Sequence, residues 1–160
     1  MTGIGAVPAP LRLAAAGMVA LLLVLAALPV MMALDPAATA ASVTRQDPSL
    51  SPADVEFGVS ASIVYAAGLH LVYGAVLLWL GLKSLRRRRW ARIALTVALV
   101  LATLNSIDSA TKGPEYVWWA IAGDVLHVGI VGLLWLPRSV REYFAAARAE
   151  QRPRGVTCPS

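Results

Sequence analysis

An apolar run without a single charge, residues 13–34 (LAAAGMVALLLVLAALPVMMAL), constrains this chain most. About 20 apolar residues in a helix, each rising about 1.5 Å, cross the hydrocarbon core of a bilayer. The whole chain of 160 residues is 58% hydrophobic and 14% charged. A soluble domain of that composition would expose more apolar surface than water tolerates. The chain is therefore predicted to be an integral membrane protein.

The same run must be weighed against a secretory signal peptide, because Ala38-Thr39-Ala40 resembles a cleavage site. A signal peptide has an apolar region of about 7–15 residues behind a positively charged segment. Here the run is longer, and Arg12 is the only charge before it. We expect an uncleaved transmembrane helix, in which a kink near the outer end accommodates Pro29.

Three more apolar segments predict further spans, at 57–82, 93–110 and 116–136. Helix formation before the second span is indicated by Ser51-Pro52-Ala53-Asp54, which offers Ser at the N-cap, Pro at N1 and an acid at N3. The remaining segments are an N-terminus (1–12), an acidic external loop (35–56), an Arg-rich loop (83–92), an external turn (111–115) and a basic tail (137–160) that begins as a short helix. The predicted fold is an all-α, up-and-down bundle of four transmembrane helices.

The basic residues predict the orientation of this bundle, because cytoplasmic flanks of membrane helices are enriched in Lys and Arg. One lies in the N-terminal flank, six in 83–92 and five in the tail, against only Arg45 and Lys112 in the two opposite loops. Both termini are thus expected in the cytoplasm of a bacterium whose inner membrane the chain spans. The formal charge of +5 could suggest nucleic-acid binding. Its placement instead favours topology signals that contact anionic lipid headgroups, at Arg86, Arg87, Arg88, Arg89 and Arg92.

Two segments at the predicted inner interface, RRRRWARIALTV (86–97) and LLWLPRSVREYF (133–144), carry a family resemblance. They resemble small, uncharacterised four-helix integral membrane proteins of actinobacteria. The external segment SLSPADVEFGV (49–59) is similar to the entry of the second helix in that group. The resemblance extends from about residue 10 to 145. It implies the topology given above and no particular chemistry.

Polar side chains inside the predicted spans are the candidates for function, because they are costly in a membrane. His70, Asn105, Asp124 and His127 lie 11–14 residues from the basic residue that ends each span, which is about 16–21 Å. The simplest packing turns all four inward, where Asp124 accepts a hydrogen bond from an imidazole N–H. The first span has no ionisable residue, so it is expected to have the widest lipid contact.

Three interpretations of this polar layer remain open. It can fix the register of the helices, carry protons or cations through the Asp–His pair, or hold a b-type haem between His70 and His127. The sequence has no nucleophile–base motif, phosphate loop or metal-binding spacing, and Cys158 is its only cysteine. No catalytic residue, metal or cofactor is therefore predicted. The favoured function is that of an accessory or assembly protein, which contacts other membrane proteins or itself through its transmembrane helices.

Overall fold

The computed structural model describes residues 7–111 and 113–151, with side chains described as far as residue 146. Lys112, Arg152, Arg154 and Cys158, together with the segments 1–6 and 152–160, lie outside the described residues. The described chain consists of the helices α1 Ala9–Leu34, α2 Pro36–Gln46, α3 Pro52–Leu85, α4 Arg89–Ala110, α5 Pro114–Trp135 and α6 Arg138–Gln151.

Four of these helices (α1, α3, α4 and α5) are long and apolar enough to cross a membrane. Each packs against its two neighbours in the cyclic order α1, α3, α4, α5, so that α1 lies diagonally opposite α4. Short connections force successive helices to run antiparallel. The structure thus confirms the predicted all-α bundle of four membrane helices. Its two ends are called the Arg-rich end, which holds residues 86–89, and the acidic end, which holds α2 and the acids around it, Asp35, Asp47, Asp54 and Glu56.

The first helix lies deeper in the bundle than the sequence suggests. Its buried residues Leu11, Ala14, Met18 and Leu21 recur every three or four positions and pack against α3 and α5. The most exposed span belongs to α4, of which 11% is buried against 17% for α1. The expectation that the first helix has the widest lipid contact is therefore wrong. The absence of charge in α1 fits a helix that is apolar all round, with one side packed in the bundle and the other at its surface.

A helix that the sequence did not predict, α2, occupies half of the predicted external loop 35–56. Asp35 caps it by accepting a hydrogen bond from the Ala37 amide at 3.3 Å. Packing against α3 holds it in place, and a Cβ added at Gly58 would lie 3.1 Å from Val43. A helix of 11 residues is marginal in water unless tertiary contacts support it, which is why its local sequence resembled a loop.

Three polar contacts organise the rest of the acidic end. Arg45 of α2 forms an ion pair with Glu115 in the first turn of α5, with 2.6 Å between Nη2 and Oε1. The backbone amide and hydroxyl of Ser49 donate to the Asp47 carboxylate, which holds the pKa of that group below its ordinary value. Ser51 and Asp54 cap α3 reciprocally, each side chain accepting from the other's backbone amide. This confirms the predicted helix start.

The Arg-rich connection is shorter than predicted, because α3 extends to Leu85 and α4 begins at Arg89. The chain reverses through a Schellman motif, in which the Arg88 amide donates to Lys83 O and the Arg87 amide donates to Ser84 O. Arg87 takes the left-handed position of this motif, with φ of 60°. Glycine usually fills that position, since a side chain there is strained.

The last helix, α6, folds back against the Arg-rich end. Val140 and Phe144 are fully buried under the bundle. The Tyr143 hydroxyl donates to Leu85 O at 2.9 Å, and the Arg87 guanidinium lies 4.4 Å from the Tyr143 ring centre. This cation–π contact fixes the reversal and α6 to each other. The amphipathic helix that the sequence predicts at the start of the tail is confirmed over its described length.

Candidate functional site

The polar side chains in the bundle interior meet at His127, which is only 5% exposed. Its Nδ1 lies 3.0 Å from the Thr103 hydroxyl of α4 and 3.4 Å from Asp124 Oδ1, three residues earlier on α5. Its Nε2 lies 3.5 Å from the Tyr73 hydroxyl of α3. These four residues, here called the His127 cluster, therefore join three of the four membrane helices.

The chemistry of the partners indicates which nitrogen of the His127 imidazole carries the proton. An ionised carboxylate only accepts hydrogen bonds, so Asp124 favours the tautomer that carries its proton on Nδ1. In that tautomer Nε2 accepts from the Tyr73 hydroxyl, whose ring meets the imidazole edge-on at 85° and 6.4 Å. The Tyr73 contact is at the long limit of a hydrogen bond, whereas the Thr103 contact has ordinary length.

Asp124 is the least satisfied member of the cluster. Its Oδ1 is buried and has no hydrogen-bond partner among the described residues, although it lies within ion-pair distance of His127. The side chain as a whole is 25% exposed. The pairing of Asp124 with His127 is the part of the predicted layer that the structure brings together.

His70 does not join this cluster. Its Nδ1–H donates to Ala66 O at 2.6 Å, one turn earlier in the same helix. The side chain is half-buried on α3, and within the described chain it makes no hydrogen bond to Asn105, Asp124 or His127. The prediction that His70 bonds to the other polar residues of the layer is therefore wrong, because similar depth along two helices does not turn their faces toward each other.

Asn105 lies outside the interior altogether, on the exposed side of α4. The buried side of that helix is defined by Leu95 and Leu99. At about 100° per residue, Asn105 is turned about 120° away from Leu99. Thr103, four residues after Leu99, is on the inward side instead. The prediction that Asn105 points inward is thus wrong for a reason of helical register.

Sequence reasoning missed Tyr73 and Thr103. Tyr73 carried a usable signal, because tyrosines of membrane helices concentrate at the interfaces and one near mid-depth needs a partner for its hydroxyl. Little in the sequence pointed to Thr103, because a threonine in a membrane helix usually donates its hydroxyl to the backbone carbonyl four residues earlier. Thr96 does this in the same helix, donating to Arg92 O at 3.0 Å.

A haem does not fit the residues present. Bis-histidine ligation needs both imidazoles to face one shared space, yet the Tyr73 hydroxyl stands against Nε2 of His127 and His70 bonds to its own helix. A proton relay is favoured only by the poorly satisfied Asp124 carboxylate. Toward the Arg-rich end the interior is apolar for about two turns, since Leu95, Leu99, Ile130 and Leu134 are at most 2% exposed. The cluster thus has no polar continuation in that direction.

The five predicted headgroup arginines divide into two kinds. Arg86, Arg88 and Arg89 are exposed and Arg87 is half-buried, as positions at a membrane surface require. Arg92 is instead only 5% exposed. Its guanidinium lies between α4, α5 and α6, where lipid headgroups do not reach. The prediction that Arg92 contacts lipid is therefore wrong.

Arg92 caps the end of α5. The last carbonyls of a helix lack backbone donors, and Arg92 Nη2 donates to one of them, Leu134 O, at 2.6 Å. The guanidinium also stacks 3.8 Å from the Trp135 ring centre and lies 5.0 Å from that of Phe144. A cation at a helix C-terminus is favourable for the helix dipole as well. Arg92 is thus a structural link between three helices.

Within the described part of the chain, no three His, Cys, Asp or Glu side chains group as metal ligands would. Comparison with family models, with curated proteins and with solved structures finds no match to this chain. The resemblance to actinobacterial membrane proteins consequently stays a prediction, and function must be inferred from the geometry alone.

Proposed function

We propose that the chain is an accessory or assembly protein of the bacterial cell membrane, with both termini in the cytoplasm, that acts through contacts between transmembrane helices. The observation that carries this proposal is the position of Asn105, a polar amide on the exposed face of the least buried membrane helix. In hydrocarbon such a group has no solvent to bond to, so a neighbouring helix is its natural partner.

The interior of the bundle supports a structural role for the remaining polar groups. In the His127 cluster, the imidazole uses both nitrogens on Thr103, Asp124 and Tyr73. None of the four cluster residues lines the largely apolar groove that lies between α1 and α3. Interhelical contacts of this kind hold the helices in register, each worth about 0.6–2 kcal/mol.

The exposed face of α4 supports an external contact. Val97, Leu101 and Leu104 are between 52% and 60% exposed, and they lie with Asn105 along one side of the helix. Leu101 lies one turn before Asn105, and Asp108 and Ser109 lie one turn after it, so the amide stands where the apolar side of this face ends. The amide makes no hydrogen bond within the described residues.

The expected partner of this face is a second copy of the chain. An asparagine side chain donates and accepts at once, so two Asn105 amides related by a twofold axis satisfy each other. Such a self-complementary contact needs no additional protein. The expected complex is a dimer formed by the α4 faces of two bundles.

Replacing Asn105 with Leu is expected to weaken this dimer about five- to tenfold, because the interhelical hydrogen bonds are lost while apolar packing is kept. The measurement is energy transfer between donor- and acceptor-labelled copies in liposomes, over a range of protein-to-lipid ratios. The matched control is Val128→Leu, an exposed apolar position on α5 that is 67% exposed.

The control variant should associate as the wild type does. Wild-type protein that stays monomeric at every ratio would disprove self-association. Equal weakening by Val128→Leu would show that the contact does not depend on the α4 face.

The proposed orientation has its own test. A reporter enzyme that is active only outside the cytoplasm should be active when fused at Asp47 and inactive when fused after Arg89. The reason is the concentration of basic residues beside the second position. The reverse pattern would place the Arg-rich end outside, and activity at both positions would break the four-span topology.

A further inference from the structure

A groove of about 190 Å³ runs between α1 and α3 in the half of the bundle nearest the Arg-rich end. Ala15 and Val19 form part of its wall on α1, and Leu78 and Leu82 form part of its wall on α3. Ile130 of α5 lies among the residues that line it. The groove is smaller than the roughly 300–1,000 Å³ of sites for drug-sized ligands. Its apolar lining suits a hydrocarbon chain.

Arginines stand at the headgroup end of both walls. On α1, Arg12 lies on the same helical face as Ala15 and Val19, which follow it by three and seven residues. Arg86 is the C-cap residue of α3 and follows the groove residue Leu82 by four positions, so it stands just beyond the end of that wall. Both arginines are exposed. An anion placed at the mouth of the groove would therefore meet positive charge from two helices.

A buried hydroxyl adds a second polar feature, deeper in the groove. Ser84 lines the groove and is 2% exposed, and its Oγ has no hydrogen-bond partner among the described residues. A buried hydroxyl without a partner costs free energy. Rotation about one side-chain bond lets a serine donate to an acceptor beside it. Ser84 lies about 3 Å below Arg86 along the helix axis.

We propose that this groove binds one anionic phospholipid. An acyl chain lies between α1 and α3, the phosphate lies between Arg12 and Arg86, and an ester carbonyl just below it accepts a hydrogen bond from Ser84. The order of these groups along the groove (cationic, hydroxyl, apolar) is the order of phosphate, ester and chain in a phospholipid. The proposal requires only that the bundle is in a membrane, and it does not depend on the dimer proposed above.

The test is native mass spectrometry of the full chain in detergent, with phosphatidylglycerol or phosphatidylcholine of identical acyl chains added in equal amounts. One phosphatidylglycerol should be retained in preference to phosphatidylcholine. Arg12→Gln and Arg86→Gln should each reduce this preference about fivefold, since a basic residue near a headgroup contributes about 1 kcal/mol. The control is Arg89→Gln, an exposed arginine at the start of α4, the helix diagonal to α1.

Two variants examine the groove itself. Ala15→Leu narrows the space for the chain and should reduce binding of both lipids, whereas Ser84→Ala leaves the groove open and should weaken both less. Circular dichroism of each variant shows that it is folded. A preference for phosphatidylglycerol that survives in the double Arg12→Gln/Arg86→Gln variant would overturn the proposal. So would an Arg89→Gln effect as large as that of either groove arginine, or equal retention of the two lipids by the wild type.

Discussion

Replacing His127 with Leu is expected to lower the free energy of unfolding by about 2–4 kcal/mol, the largest effect we expect from a polar residue of the interior. The imidazole is buried and contacts Tyr73, Thr103 and Asp124. Thr103 can turn its hydroxyl to its own helix, whereas the Tyr73 hydroxyl loses its contact with the imidazole and Asp124 Oδ1, which already lacks a hydrogen bond, loses its ion-pair partner as well. Each such orphaned group costs about 1–3 kcal/mol, and a carboxylate costs more. The measurement is reversible unfolding in mixed micelles, followed by circular dichroism.

His70→Leu is the matched control, since both histidines lie near the middle of a membrane helix. His70 bonds only to its own helix, at Ala66 O, so its loss is expected to cost under about 1 kcal/mol. The double variant His127→Leu/Asp124→Leu should recover part of the loss, because removing both partners costs less than orphaning one. Equal effects of the two single histidine variants would contradict the cluster.

Replacing Arg92 with Met is expected to lower the free energy of unfolding by about 2–3 kcal/mol. The variant loses a charged hydrogen bond to Leu134 O, worth about 1.5–3 kcal/mol. It also loses the stacking on Trp135, worth about 2 kcal/mol in a desolvated setting. The cost of burying an arginine without a carboxylate partner offsets part of this sum. The same micelle unfolding measurement applies, together with protease sensitivity of α6.

The control for Arg92 is Arg89→Met, which removes the same charge from the same helix end and is exposed. A change within about 0.5 kcal/mol is expected there. Arg92→Lys should give an intermediate loss, because an ammonium keeps the charge but not the planar stacking surface. Wild-type stability of Arg92→Met, or an equal loss in Arg89→Met, would show that the buried guanidinium is not the link between α4, α5 and α6.

The fold was predictable from the sequence to the extent that it depends on local composition. Span 13–34 needs only its length and lack of charge, and the Ser51–Asp54 cap needs only four neighbouring residues. The helix α2 was missed because its stability comes from packing on α3, which no local pattern records. The tight reversal at Arg87 was missed for a related reason, since an arginine stands where glycine is usual.

The site was predictable only in part. Asp124 and His127 are three residues apart on one helix, so their pairing follows from helical geometry. The prediction that His70 and Asn105 join them required a knowledge of how far each helix is rotated about its axis. Depth along the membrane does not contain that information. Asn105, which was expected in the interior, is exposed, and Thr103, which was not expected there, contacts His127.

The apolar run 13–34 and the three that follow it determine that this protein folds in a membrane, because a chain of this size in water would leave much of four such helices exposed. The approximate length of each span and the Ser51–Asp54 cap follow in the same way, since local interactions decide them. Only the tertiary structure decided which faces meet. In it Arg92 is buried, the four residues of the His127 cluster meet, a groove lies between α1 and α3, and Asn105 is exposed. Packing sets the rotation of each helix, and packing depends on the shapes of all its neighbours at once.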